Sequence, residues 1–228
     1  MDISEAISKR KSIRAFKQDS VPQGVLKQIL AEAVLSPSFA NTQPWEFVVV
    51  VGQVTKDLAK ACEEKVMSGG AMVPEIPGPP ALPEPFDSRR RTLGKQMFEV
   101  LGFGREDKEK RMMWGLRGFK FFDAPSVIFI LTDRSFYAQE GGQNVWPLFD
   151  CGLVVQNIML LAVKHGLGTI PEIQAVMFPD VLRAKLNIPE SKLIVLGLAI
   201  GYPDPAHPIS KLVSERVPAD AVTTWHGF

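Results

Sequence analysis

Apolar positions along this chain recur with two different periods, and each change of period marks an element boundary. Ile3, Ala6 and Ile7 form a short helical stripe behind Asp2, and Glu5 three residues on makes a capping-box-like start. Ser20-Val21-Pro22-Gln23 opens a second helix, in which Val25, Leu26, Ile29, Leu30, Ala33 and Val34 hold helical spacing as far as Ser36-Pro37. From Ser36 to Trp45 the residues are mostly small or polar, and Pro37 and Pro44 forbid continued helix, so the stretch reads as a loop. Glu46 to Val51 is a β-branched strand. Helical spacing returns between Val54 and Val66, with Leu58, Ala59, Cys62 and Val66 on one face and Gly69-Gly70 as the stop.

The middle of the chain breaks this rhythm. Pro74, Pro77, Pro79, Pro80, Pro83 and Pro85 rule out a regular packed element between Val73 and Phe86. Arg89 to Val100 and Glu106 to Phe119 then read as charged helices. A linker between two domains would also explain the prolines, but nothing after them looks like an independent core. Residues 73–122 are therefore expected to be an insertion on a single domain, 1–228, placed to cover a pocket. Ser126 to Thr132 is apolar without alternation, as a central strand buried on both faces requires. Leu148 to His165 is apolar nearly all round and stops at Gly166, which suits a helix inside a subunit or against a partner. Pro179 to Leu186 is a short helix, and Leu193 to Ile200 a second buried strand. Residues 207–228 have no clear period yet carry Lys211, Arg216, Trp225 and Phe228, which predicts a docked C-terminal arm, on this chain or a second subunit. Strands and helices do not alternate regularly, which favours a mixed sheet flanked by helices over a parallel doubly wound one.

Composition narrows the classes. A hydrophobic content of 46% over 228 residues is ample for a buried core. Basic and acidic residues number 26 and 25, so the net charge of +1 advertises neither nucleic acid nor a membrane surface. No run is expected to reach the roughly 18 apolar residues that cross a bilayer. The N-terminus lacks the apolar core of a signal peptide, which makes the cytoplasm the default. Cys62 and Cys151 stand singly, outside any C-x-x-C, and read as small buried hydrophobes.

Familiar catalytic signatures are missing. Gly102-Phe103-Gly104 and Gly166-Leu167-Gly168 sit where helices end, not where a dinucleotide turn belongs, and there is no Walker sequence, G-x-S-x-G or H-E-x-x-H. His165, His207 and His226 are scattered, so no metal site is expected. With no acid, base or nucleophile standing out, a bound cofactor is the natural carrier of any chemistry. The local signal is Arg10-Lys11-Ser12-Ile13-Arg14, four donor side chains in five residues, with Ile13 and Phe16 pinning one side to a core. Guanidinium forks and a hydroxyl together suit a phosphate, and a solvated face is the alternative. Arg89-Arg90-Arg91 reads as a solvated face.

These residues carry a resemblance. Arg10 to Phe16, Ser36 to Trp45, Phe122-Asp123-Ala124-Pro125, Asp150-Cys151-Gly152, Gly166-Leu167-Gly168-Thr169, Gly201-Tyr202-Pro203 and Arg216-Val217-Pro218 resemble, in order, the nitroreductase family of flavin enzymes. The match runs over nearly the whole chain. It implies an α+β fold with a mixed, mostly antiparallel sheet in an interlocked homodimer, FMN bound non-covalently at two interface sites, and electrons from NADH or NADPH. It further implies that Arg10, Ser12 and Arg216 surround the FMN phosphate, with Lys11 contributing through its backbone and Lys211 as an added cation. Arg14 would lie beside the flavin pyrimidine, and Asn41 would donate and accept at the pyrimidine or ribityl edge. Pro37, Ser38 and Phe39 would reach the ring from the other subunit. Pro171, Glu172 and Ile173 would set backbone amides against flavin N4 and N5, with Glu172 or Ile173 as donor because proline has no N–H. The Glu172 side chain has no role in that scheme. Trp114, Phe119 and Trp225 are candidates to line a substrate cavity, with core packing as the competing explanation.

The expected function is an FMN-dependent NAD(P)H oxidoreductase working in two half-reactions on a small aromatic acceptor, a nitroaromatic or quinone. Reduction of C=C bonds, reductive dehalogenation, flavin binding without turnover and basic peptide binding are the alternatives.

Overall fold

A strand apolar on both faces needs a partner layer on each side, and Ser126–Asp133 has both. In a computed structural model describing residues 1–228, the helices are α1 (Ile3–Lys9), α2 (Gln23–Ala33), α3 (Gln53–Met67), α4 (Phe86–Leu101), α5 (Lys108–Leu116), α6 (Arg134–Tyr137), α7 (Trp146–Lys164) and α8 (Pro179–Leu186). The strands are β1 (Glu46–Val51), β2 (Ser126–Asp133), β3 (Ala138–Gln139), β4 (Gly142–Gln143), β5 (Gly168–Glu172) and β6 (Lys192–Gly201). β1, β2, β6 and β5 lie side by side in that order, each pair antiparallel. β3 and β4 form a separate small ribbon. Parallel pairing occurs as one bridge, Ser12 to Thr169, which lays the chain after α1 along the free edge of β5.

Alternation along β2 sorts the core into two halves. Val127, Phe129 and Leu131 face Leu58 and Cys62 of α3 and Leu182 of α8. Ile128 and Ile130 face Leu26 and Ile29 of α2 and Val154 and Ile158 of α7. Each such side chain contributes about 1.5–3 kcal/mol on burial, which holds the sheet between its two helical layers. Both cysteines belong here as expected: burial pushes the Cys62 thiol up to about 11 and the Cys151 thiol up to about 12.

Three sequence expectations need correction. Gly168–Glu172 is a strand, where the sequence showed only the close of a helix at Gly166 to Thr169. A five-residue edge strand containing proline carries too weak a pattern to stand out. The helix expected through Phe119 ends at Leu116, because Phe121, Phe122 and Asp123 take left-handed φ values of 56°, 51° and 57° and turn both phenylalanines into the core. α7 reaches 19 residues with a mean hydropathy of 1.5, long and apolar enough by length and composition to cross a bilayer, which the expectation denied. It packs instead against α1, α2 and the sheet, with buried Asp150 in its second turn.

The proline stretch carries no helix or strand, yet it is anchored. Glu75 accepts from the Ile194 N–H of β6 at 2.7 Å and from Arg183 of α8 at 2.7 Å, and it also pairs with Arg134. Burial alone would raise the Glu75 pKa, but the Ile194 amide and the two guanidinia outweigh it and hold the carboxyl below its usual range. Replacing Glu75 by alanine is expected to cost about 2–4 kcal/mol in urea unfolding, since Arg183 is left buried without its acid. The depressed folded pKa makes this contribution complete above the ordinary value of 4.5 and lost as pH falls below it. The difference between wild type and Glu75→Ala should therefore shrink between pH 5 and pH 3.

Candidate functional site

The site grows from the way Arg10 to Phe16 is laid down. α1 is capped by Asp2, whose carboxylate accepts from the Glu5 N–H at 2.8 Å, and it ends at Arg10, where the backbone becomes extended. Ile13, Ala15 and Phe16 are buried, so the run is fixed by its apolar side. The Ile13 N–H donates to the Thr169 carbonyl at 3.0 Å, the Lys17 N–H to Tyr202 at 2.8 Å and the Asp204 N–H to Ala15 at 3.0 Å. Gly168 is required for this approach: a Cβ there would collide with the Ile13 side chain. Arg10, Lys11, Ser12 and Arg14 are left on the outward side, as the pinned-core reading of the sequence anticipated.

The C-terminal segment returns to the same place. Lys11 Nζ donates to the Ser210 carbonyl at 2.6 Å, tying the two segments together. Arg10 and Arg216 come close enough that, after burial, the charge of Arg216 is the next cause lowering the Arg10 pKa. Arg216 bonds to the Ser214 hydroxyl and to the carbonyls of Ser214 and Glu215, and Arg14 to the Ser12 carbonyl. None of these bonds goes to a carboxylate. Ser12, Arg14 and Arg216 line a cavity of about 630 Å³ whose far wall is α4, through Arg89, Leu93 and Gln96. Lys211 sits at the exposed end of the preceding turn, outside this lining.

Pro171, Glu172 and Ile173 close β5 next to this run. Glu172 is buried beside Arg14, and burial pushes its pKa up to about 9 against the opposing effect of that guanidinium. Ile173 is exposed. Pro37, Ser38, Phe39 and Asn41 lie elsewhere in the chain's own fold and share no lining with Arg14. Their loop is tied to α7: the Phe39 N–H donates to both Asp150 carboxylate oxygens, at 3.2 and 3.1 Å, and the Phe39 ring stacks on Trp146 at 5.9 Å. The Ser38 hydroxyl accepts from the Gln43 N–H at 2.9 Å, and Ala40, Asn41 and Gln43 all take positive φ. Trp114 and Phe119 are core residues, packed on Phe122 and Phe178 respectively. Trp225 is exposed and touches Phe228.

Guanidinium forks that bond to no carboxylate, together with a hydroxyl on the same cavity wall, fit a ligand that carries a phosphate. Comparison with known proteins gives the family. The model of the Nitroreductase family matches residues 7–202. This chain belongs to the nitroreductase family. A nitrobenzene nitroreductase of Ectopseudomonas oleovorans is 31% identical over 226 residues, covering 98% of this chain and 96% of that one. A 4-nitrobenzoate reductase of Nocardioides sp. strain LMS-CY is 30% identical over 95% and 86% of the two chains. The crystal structure of the FMN and NADPH-dependent nitroreductase NfnB from Sphigopyxis sp. strain HMH superposes with a TM-score of 0.92 at 32% identity, over the whole of both chains.

As a nitroreductase family member the chain adds parts that the sequence concealed. Arg90 and Arg91 are paired with Asp87 and Glu84, as a solvated face should be, and Arg89, also exposed, leans over Phe86, yet Arg89 and Arg90 both line the cavity with Arg14. No local pattern announced that this face would meet a cavity. Asp150 did leave a signal, as an acid inside the most apolar helix. Replacing Asp150 by alanine strands the Phe39 amide and is expected to cost about 2–4 kcal/mol in urea unfolding. Limited proteolysis should then cut the 36–45 loop faster than in wild type.

Proposed function

We propose that this protein is an FMN-dependent oxidoreductase that takes electrons from NADH or NADPH and passes them to nitroaromatic or quinone-like acceptors in the cytoplasm. The observation that carries the reading is the approach of Arg10 and Arg216, from opposite ends of the chain, with Ser12 lining the same cavity as Arg216. Such a pair repels itself until a dianion lies between. The names of the relatives support the chemistry.

Arg10, Ser12 and Arg216 hold the FMN phosphate, Lys11 through its backbone and Lys211 as a more distant cation. Arg14 serves the pyrimidine, and the Glu172 or Ile173 N–H, after Pro171, serves the N4/N5 edge. When bound, FMN supplies the two-electron carrier between nicotinamide and acceptor. The chain's own part is to bind the cofactor, wall off the cavity with α4 of the 73–122 insertion, and admit reductant and acceptor in turn.

Residues 1–228 act as one domain, in a homodimer. Leu35, Phe39, Trp146 and Phe149 are all more than half exposed, with Phe39 stacked on Trp146 and Phe149 edge-on to it. An apolar face of that size suits a second copy. On it Pro37, Ser38, Phe39 and Asn41 would complete the partner's flavin site, and the arm 207–228 would find its docking surface.

The purified protein should be yellow and release FMN on heating. NADH or NADPH should bleach it, and double-reciprocal plots should be parallel, because one cavity serves both substrates. A colourless protein that takes up no FMN overturns the reading. Replacing Arg216 by alanine should weaken FMN binding by roughly tenfold to a hundredfold, the effect of losing one charge-assisted phosphate contact.

A further inference from the structure

The scheme above spends Arg10, Arg14 and Arg216 on FMN and gives the cations of α4 no task. Arg89, Thr92, Leu93 and Gln96 recur at helical spacing along α4 and line the 630 Å³ cavity with Arg14 and Arg216. The charges on this wall are not equally free. Arg90 and Arg91 are paired with Asp87 and Glu84. Glu215, the one acid in the lining, accepts from the Gln96 amide at 3.0 Å. Arg89 has the Phe86 ring beneath it, 5.6 Å from the guanidinium to the ring centre, and no carboxylate. Thr92 sets an exposed hydroxyl one turn further along the same face. Around the whole cavity Lys11, Arg14, Arg89, Arg90 and Arg216 stand against Glu215 alone. The single phosphate of FMN answers Arg10 and Arg216 and leaves the α4 wall positive.

We propose that Arg89, helped by Thr92, is the specificity-determining contact for the 2′-phosphate of NADPH, so that the cavity takes NADPH in preference to NADH. This rests on the FMN reading above and names the reductant that it leaves open. The two nicotinamides differ only in that phosphate, so only a group that meets it can tell them apart. A guanidinium fork gains charge-assisted hydrogen bonds from the phosphate of NADPH and none from the 2′-hydroxyl end of NADH, and a hydroxyl one turn away supplies a further donor.

The holoenzyme is compared with Arg89→Gln, which removes the charge, and Arg89→Lys, which keeps it. Arg89 is exposed, so neither exchange disturbs the core. In anaerobic bleaching of the bound flavin, the second-order rate constant of wild type should be about tenfold or more higher with NADPH than with NADH. Arg89→Gln should lose that preference through the concentration giving half-maximal rate, not through the maximal rate, and Arg89→Lys should retain part of it. No preference in wild type, or a preference that survives in Arg89→Gln, overturns the proposal. An equal fall with both reductants overturns it too, by placing Arg89 on the pyrophosphate they share. Fluorescence titration with adenosine 2′,5′-bisphosphate and with 5′-AMP reads the contact without turnover. Wild type should bind the bisphosphate about tenfold more tightly, less so as salt rises, and Arg89→Gln should not distinguish the two. Equal discrimination by both proteins counts against Arg89. Weakened FMN uptake by Arg89→Gln with its NADPH preference intact assigns the charge to the flavin phosphate, and a loss confined to 4-nitrobenzoate against nitrobenzene assigns it to the acceptor; either result ends the proposal. Wild type that takes up no FMN removes the flavin reading, while the bisphosphate titration of that colourless protein and of Arg89→Gln still judges Arg89.

Discussion

The hydrogen bond from the Ile13 amide to the Thr169 carbonyl joins the first segment of the chain to the free edge of its sheet, and the site depends on that splice. An edge strand offers unpaired backbone groups, and here the chain's own beginning takes them up. Ile13 and Phe16 then sink into the core and fix the direction of everything between them. Neighbouring cations must be held firmly against their mutual repulsion. Backbone pairing and buried apolar neighbours do so without help from an acid that would cancel the charge.

The same economy appears in the insertion. Prolines exclude regular structure from residues 73–85, yet one carboxylate reaching two arginines and a strand amide anchors the segment as firmly as a helix would. α4 emerges from that anchored stretch and turns one face to the cavity. Its wall is thus rigid where the chain enters and adjustable in the side chains it presents. Side chains can change there without disturbing the two-layered core behind it.

Legibility in the sequence followed the strength of periodic signals. α2, α3, α7, β2 and β6 were readable within a few residues because each repeats an apolar pattern over several turns or a whole strand. The Arg10 to Arg14 run was readable as chemistry because an apolar residue in its middle implied a fixed orientation. β5 was not, since five residues with a glycine and a proline give no period. The place of Arg89 and Arg90 on the cavity wall was not either, because three consecutive arginines give no sign of which side meets a cavity. The isolation of the Glu172 carboxyl is a property of burial, which no single residue type announces.

Lys11 meets the Ser210 carbonyl across 199 positions of sequence, and Arg10 meets Arg216 across a still longer span. Contacts so distant along the chain form only once nearly all of it is present. On the ribosome, a growing polypeptide would expose Arg10 and Lys11 long before Ser210 and Arg216 emerged. The charged cluster is thereby completed only after Ser210 to Arg216 has emerged.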